Sequence, residues 1–161
     1  MNNNPLQILK QYFGYDAFRG KQEEIIKRIV EDKKHSLVLM PTGSGKSLCY
    51  QIPALCFHNS TIVISPLIAL MQDQVDVLRK KNISAAFINS TLSKQEREKR
   101  LEQFVSGQIK LLYVTPERFR KPDFIEQIKK VKIDLLAVDE AHCISEWGHD
   151  FRKDYRQLDN I

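Results

Sequence analysis

Residues 40–47, Met40-Pro41-Thr42-Gly43-Ser44-Gly45-Lys46-Ser47, gather two glycines, a lysine and a hydroxyl into one short loop. The chemistry this spacing suits is capture of a polyphosphate. Glycine lets the backbone turn its N–H groups inward around an anion, and a helix starting directly behind adds its partial positive charge. Lys46 then reaches the terminal phosphates, and the Ser47 hydroxyl holds Mg2+ beside them. The apolar run Ser36-Leu37-Val38-Leu39 precedes the loop and a helix-spaced stretch follows it. That strand–loop–helix order is the context a phosphate loop requires. Met40 stands where the strict pattern begins with glycine, so a glycine-rich turn with a chance Gly-Lys-Ser is the plain alternative.

A second cluster weighs against that alternative. Ile133-Asp134-Leu135-Leu136-Ala137-Val138 runs directly into Asp139-Glu140-Ala141-His142. Carboxylates at the C-terminal end of a buried parallel strand sit where α/β sheets bind ligands. Asp139 is placed to hold Mg2+ through its water shell, complementing Ser47. Glu140, on the other side of the strand end, can orient and deprotonate an attacking water. Alone, the pair could cap a helix; behind a phosphate loop it reads as the second half of a Mg-nucleoside triphosphate site.

These groups need a scaffold, and the patterning supplies one. Near-continuous apolar runs at 37–40, 61–65, 85–88, 111–115 and 133–138 alternate with helical patterns. This is the rhythm of βαβ units, and runs without strict alternation suit strands buried on both faces. The expectation is an α/β fold with a mainly parallel sheet. Ser93 with Glu96, and Asp123 with Glu126, fit capping boxes, and Gly107 can close the first of these helices. Upstream, 5–13 ends at Gly14, and Ile25, Ile26, Ile29 and Val30 share one helical face. The mixed-charge run 94–100 reads as a solvated helix face, and Arg79-Lys80-Lys81 as cations closing a helix.

Composition sets outer bounds. The 161 residues are 42% hydrophobic and 28% charged, within the range of globular domains. A net charge of +5 agrees with a polyanionic partner without requiring one. Neither a signal peptide nor an apolar run of membrane-spanning length is apparent. Cys49, Cys56 and Cys143 form no C-x-x-C pair, which argues against a disulfide framework or zinc site. The expected setting is the cytoplasm, without a membrane partner.

Asp139-Glu140-Ala141-His142 behind this loop resembles the superfamily 2 helicases. The continuation Cys143-Ile144-Ser145-Glu146-Trp147-Gly148-His149-Asp150-Phe151-Arg152 is similar to the aromatic-rich loop of the RecQ family of DNA helicases. The resemblance covers nearly the whole chain. Phe13-Gly14-Tyr15 and Phe18-Arg19-Gly20-Lys21-Gln22 look like that family's N-terminal motif. Leu48-Cys49-Tyr50-Gln51-Ile52-Pro53, the stretch 65–75, Asn89-Ser90-Thr91 and Thr115-Pro116-Glu117-Arg118 are similarly close.

The resemblance implies a RecA-like three-layer α/β/α lobe, truncated before it is complete. Residues 1–30 would form a helical segment with an adenine motif, and 31–161 the first ATP-binding lobe. It implies that Tyr15 and Arg19 sandwich the adenine while Gln22 reads its edge. From the residues alone, Phe13, Tyr15 and Phe18 could equally be core aromatics. The nucleotide set is completed by residues 40–47, that is Met40, Pro41, Thr42, Gly43, Ser44, Gly45, Lys46 and Ser47. Lys46, Asp139, Glu140 and His142 would be the catalytic group, with ATP and Mg2+ as cofactors.

The implied partner is single-stranded DNA and the duplex junctions being opened. Trp147 and Phe151 give stacking faces and Arg152 a phosphate contact, a combination suited to single strands of any sequence. His149, with His142, would belong to the relay that couples DNA to hydrolysis. Packing of Trp147 and Phe151 into the core is the plain alternative. Glu146 stands where the family usually has glutamine, and Lys153 where a proline is common. Ser65 with Pro66 and Thr115 with Pro116 follow predicted strands at one sheet edge, where hydroxyls and helix N–H groups can hold phosphates. Ordinary helix capping explains the same residues.

The family's next motif, its second lobe with an arginine finger, and its zinc-binding and winged-helix regions have no counterpart in these residues. The expectation is therefore an ATP-dependent 3′–5′ DNA helicase whose half-site is inactive alone. An RNA-dependent ATPase of the same superfamily, or a non-catalytic binding piece, are the alternatives.

Overall fold

The structure is a computed structural model in which residues 4–41 and 43–141 are described. The described residues divide between His58 and Asn59 into two compact units.

The first unit is helical. Helix α1 (Pro5–Ile8) opens with Pro5 at its first position and Asn4 as cap, whose side chain accepts from the Leu6 N–H at 2.9 Å. It runs on through a π-helical turn (Leu9–Phe13) and stops at Gly14, which takes the left-handed φ of 73° that ends a helix cheaply. Helix α2 (Gln22–Val30) and helix α3 (Leu48–Cys56) follow. Ile8, Leu9, Ile26, Ile52 and Cys56 form the core, with Phe13 and Phe18 packed against it. Burying each such side chain is worth about 1.5–3 kcal/mol, which fastens the three helices together.

Residues 37–40 depart from the sequence expectation. They form no strand, and Leu37 and Leu39 are 95% and 99% exposed. Apolar β-forming residues express a propensity, but a strand exists only as part of a ladder. No ladder partner for this segment lies among the described residues.

The second unit contains a parallel sheet in the order β2-β3-β1-β4. Strand β1 (Ser60–Ile64) lies between β3 (Leu111–Val114) and β4 (Ile133–Val138), and β2 (Ala85–Ile88) pairs with the far side of β3. Every residue of β1, β2 and β3 is buried, as their unbroken apolar runs require. At the edge, β4 instead alternates, with Leu136 and Val138 exposed.

Three helices join these strands: α4 (Ile68–Lys80), α5 (Lys94–Val105) and α6 (Pro122–Ile128), the last preceded by a 3-10 turn (Pro116–Arg120). Phe104 of α5 and Phe124 and Ile128 of α6 pack with Ile62, Ile64, Ile88, Leu112 and Val114 in one core. Phe119 of the 3-10 turn meets Phe124 edge to face at 5.4 Å between ring centres. The fold is α/β, as the alternating pattern indicates.

Local start signals are met unevenly. Ser93 caps α5, its Oγ accepting from the Glu96 N–H at 3.1 Å, and Gly107 closes it at φ 76°. Asp123 is not a cap: α6 begins at Pro122 behind Lys121, which gives no side-chain cap bond. Proline at the first helical turn starts that helix without one. The run 94–100 is only partly a solvated face. Lys94 and Glu98 pair in the open at 3.7 Å, but Arg100 folds over Phe87 at 4.4 Å from its ring centre and donates to the Phe87 carbonyl at 2.9 Å. An arginine stem can cover apolar surface while its head stays satisfied, so a charge pattern alone conceals such a contact.

Candidate functional site

In the first unit, Met40, Pro41, Gly43, Ser44 and Gly45 of the phosphate loop and Tyr15, Arg19 and Gln22 of the N-terminal motif line one cleft of about 600 Å3. That is the size of small-ligand sites generally. Gly43 and Gly45 adopt left-handed φ of 77° and 78°, a region that side-chain-bearing residues rarely enter. Behind them the chain coils immediately: the Leu48 N–H donates to the Gly45 carbonyl at 3.1 Å and the Cys49 N–H to the Lys46 carbonyl at 2.9 Å. Lys46 and Ser47 thus stand at the very start of α3, where backbone N–H groups and the helix dipole favour an anion. Met40 and Pro41 form the loop's entry; the Met40 sulfur lies 3.8 Å from the Cys49 sulfur. Burial pushes the Cys49 thiol up to about 11, so it packs as an unreactive apolar group.

The cleft's other wall is aromatic and cationic. Tyr15 is 47% exposed, and the Arg19 guanidinium lies 5.5 Å from its ring centre. Of the three nearby aromatics, Phe13 and Phe18 pack against the core while Tyr15 stays open and lines the cleft. Gln22 is 2% exposed. Its Oε1 accepts from the Arg19 N–H at 2.9 Å, and its Nε2 donates to the Ser44 and Gly45 carbonyls at 3.1 and 3.3 Å. Nothing in the spacing of the sequence indicates that this amide faces the loop.

In the second unit, the strand ends form a polar row. Asn89, Thr115, Ser65 and Asp139 follow β2, β3, β1 and β4, in sheet order, at the carboxyl edge. Ser65 and Thr115 come directly after the paired residues Ile64 and Val114, and the Ser65 N–H donates to the Val114 carbonyl at 3.0 Å. Both hydroxyls are buried and, among the described residues, without a hydrogen-bond partner. Hydroxyls at the carboxyl edge of a parallel sheet stand where such sheets bind ligands. Pro66 and Pro116 follow, and Pro116 opens the 3-10 turn. Asn89 is already spoken for, its Oδ1 accepting from the Thr91 N–H and hydroxyl at 3.0 and 2.6 Å.

Arg118 lies in the 3-10 turn that follows β3, although its charge alone did not mark it. Its guanidinium lies 5.8 Å from the Phe124 ring centre, and its Nε has no hydrogen-bond partner among the described residues. Burial holds it below its ordinary value, the neighbouring cation Arg97 adds to the effect, and Glu117 opposes it. A desolvated, incompletely bonded guanidinium is suited to a phosphate.

At the end of β4, the Asp139 N–H donates to the Ile64 carbonyl at 2.8 Å, extending the ladder by one residue. The Asp139 Oδ1 then accepts from the Glu140 N–H at 3.0 Å, and Glu140 turns into the left-handed region at φ 51°. The chain thus leaves the sheet in a sharp turn. Thr42, His142, Trp147, His149, Phe151 and Arg152 lie outside the described residues. Among the described residues, no group of three or more metal-ligating side chains occurs, and no helix is long and apolar enough to cross a membrane.

Comparison with known proteins follows the same lines. The DEAD/DEAH box helicase family matches residues 19–161. Over 94% of its length the chain is 53% identical to the ATP-dependent DNA helicase RecQ of Bacillus subtilis, covering 26% of that protein. It is 51% identical to the Haemophilus influenzae RecQ over 97% of the chain and 25% of that protein. The chain thus spans about a quarter of the length of these curated relatives. A hypothetical ATP-dependent RNA helicase from Sulfolobus tokodaii matches in structure with a TM-score of 0.73 at 21% identity. The match covers 96% of this chain and 45% of that one, and it bears on the fold alone.

Proposed function

We infer that this chain, which belongs to the DEAD/DEAH box helicase family, carries the ATP-binding half-site and part of the DNA-binding surface of a RecQ-type DNA helicase. The observation that carries the reading is the cleft that joins the glycine loop ahead of α3 to the Tyr15–Arg19 wall. One wall suits a flat base, the other a polyphosphate, and the chain's 53% identity to a DNA helicase supports adenine nucleotide and DNA as the ligands.

In this reading Tyr15 and Arg19 hold the adenine between a π-face and a planar cation. Loop N–H groups and the N-terminus of α3 hold the phosphates, and Lys46 neutralises their terminal charge. The donor set suits a hard cation: the Ser47 hydroxyl and Asp139 carboxylate are oxygen ligands of the kind Mg2+ prefers, and they would hold it. When bound, Mg2+ supplies charge neutralisation across the phosphates. Glu140 takes the proton of the attacking water, and His142 passes the state of the site toward the loop of Trp147, His149, Phe151 and Arg152. Ser65, Thr115 and their following prolines hold the DNA backbone, with Arg118 beside them. The setting is the cytoplasm, and the whole parent protein couples ATP hydrolysis to 3′–5′ movement on single-stranded DNA.

The nucleic-acid half of the reading is tested by single-stranded DNA binding across a salt series. Arg118→Gln should lower affinity and reduce the slope of log affinity against log salt by about 0.7, the contribution of one phosphate contact on a single strand. An unchanged slope removes Arg118 from the surface. Tighter binding of RNA than of DNA by the unaltered chain would favour an RNA-dependent enzyme.

A further inference from the structure

We propose that Arg79 and Arg100 seal the outer edge of β2, closing that side of the sheet to strand addition by a second copy of the chain. Strand β2 pairs with β3, and among the described residues no strand lies beyond it. The ladder shows which way its peptide groups point. The Ser84 carbonyl accepts from the Leu111 N–H at 3.1 Å, so it faces β3. Peptide groups alternate in direction along a strand, and those of Ala85 and Phe87 therefore point out of the sheet.

Both outward carbonyls are taken by arginine. Arg79, in the last turn of α4, donates from Nε to the Ala85 carbonyl at 2.8 Å. Arg100, in α5, donates from Nη1 to the Phe87 carbonyl at 2.9 Å. These carbonyls are the acceptors that the N–H groups of an added strand would need. A guanidinium carries donors and no acceptor, so it offers an incoming N–H nothing in exchange. Joining two such edges would also bring the guanidinium groups of both copies together, like charge against like.

The path of Arg100 and the burial of β2 are separate observations with the same meaning. Ala86 and Ile88 pack in one core with Phe104 of α5. Side chains alternate across a strand, so the Phe87 ring belongs to the opposite face. Arg100 starts from α5 yet lies 4.4 Å from the centre of that ring, so its side chain passes round the edge. Glu96 accepts from the Arg100 Nε at 2.8 Å and fixes it there. The result is an edge strand in which no residue is more than 8% exposed. At the other end of the described sheet, Leu136 and Val138 of β4 stand open.

Sedimentation of the full chain over a concentration series tests the proposal, with Arg79→Met, Arg100→Met and the double variant set against the unaltered chain. Methionine keeps an apolar stem at the edge and removes every donor. The double variant should self-associate at least about tenfold more tightly than the unaltered chain, the scale of two freed hydrogen-bond acceptors, with each single variant between them. Adding Ala85→Pro removes an outward N–H at the first position of β2, where a strand tolerates proline, and should return association to the unaltered level. Thermal melts identify the variants that fold as the unaltered chain does, and the comparison is made on those. Equal association by the unaltered chain and the folded arginine variants would overturn the proposal. Association that persists after Ala85→Pro would overturn it too, by placing the contact on another surface.

Discussion

The Arg19 guanidinium lies 5.5 Å from the centre of the Tyr15 ring, at the mouth of the cleft that the glycine loop closes from the other side. A half-exposed tyrosine with a planar cation beside it is a stacking surface awaiting a third plane. Tyr15→Ala should therefore weaken ATP about two- to tenfold, the value of one aromatic stack, and leave Mg-tripolyphosphate binding unchanged. Competitive titration of the two ligands reads the split. Equal loss of both would show that Tyr15 shapes the cleft rather than the base site.

Ser65 and Thr115 give a prediction whose sign separates a cap from a phosphate ligand. Among the described residues neither hydroxyl has a hydrogen-bond partner, and neither caps the helical turn that follows it. Replacing a buried, unmet hydroxyl by a methyl of the same shape is neutral or stabilising, by up to about 1–3 kcal/mol. Thr115→Val should hold or raise the melting temperature while weakening single-stranded DNA binding. A lowered melting temperature with unchanged DNA affinity would return Thr115 to a structural role.

Much of this was legible in the sequence because it is local. The strand starts, the glycine loop and Gly14 and Gly107 as helix stops all follow from residues whose neighbours along the chain decide their conformation. The segment 37–40 shows the limit: its residues favour a strand, but the ladder that would make it one is a tertiary fact. Arg100 and Arg118 show another. Each looks like a surface charge until the ring it covers, Phe87 or Phe124, is brought to it by the fold. Gln22 was singled out by its motif, yet its hydrogen bonds to Ser44 and Gly45 span 22 and 23 residues and leave no periodic trace.

Acid should loosen the first turn of β4. Asp134 accepts from the Asn59 N–H and side-chain amide at 2.8 and 2.9 Å, tying the start of β4 to the residue before β1. Partial burial alone would raise this carboxyl, but the two Asn59 bonds and the nearby Lys110 and Lys132 more than offset it and hold it below its ordinary value. A carboxyl lowered by folding stabilises above its unfolded value, about 3.9, and loses that contribution as pH falls through the folded value. Asp134→Asn should thus cost less than about 1 kcal/mol near neutrality, since the site is open to solvent. Urea titrations should show the difference from the unaltered chain shrinking below about pH 4. A gap that persists or widens in acid would contradict this account of the tie.

The central claim is that the loop at residues 40–47 receives the phosphates of a nucleotide, and Lys46→Ala tests it most directly. Lys46 lies just ahead of α3 and belongs to neither apolar core described above, so the variant should fold and melt as the unaltered chain does. Titration with Mg-ATP should show saturable binding by the unaltered chain and a loss of at least tenfold in the variant, the scale of one charge-assisted phosphate contact. Equal binding by both would mean that the glycine loop is a turn and nothing more, and that the nucleotide, if bound, is held elsewhere.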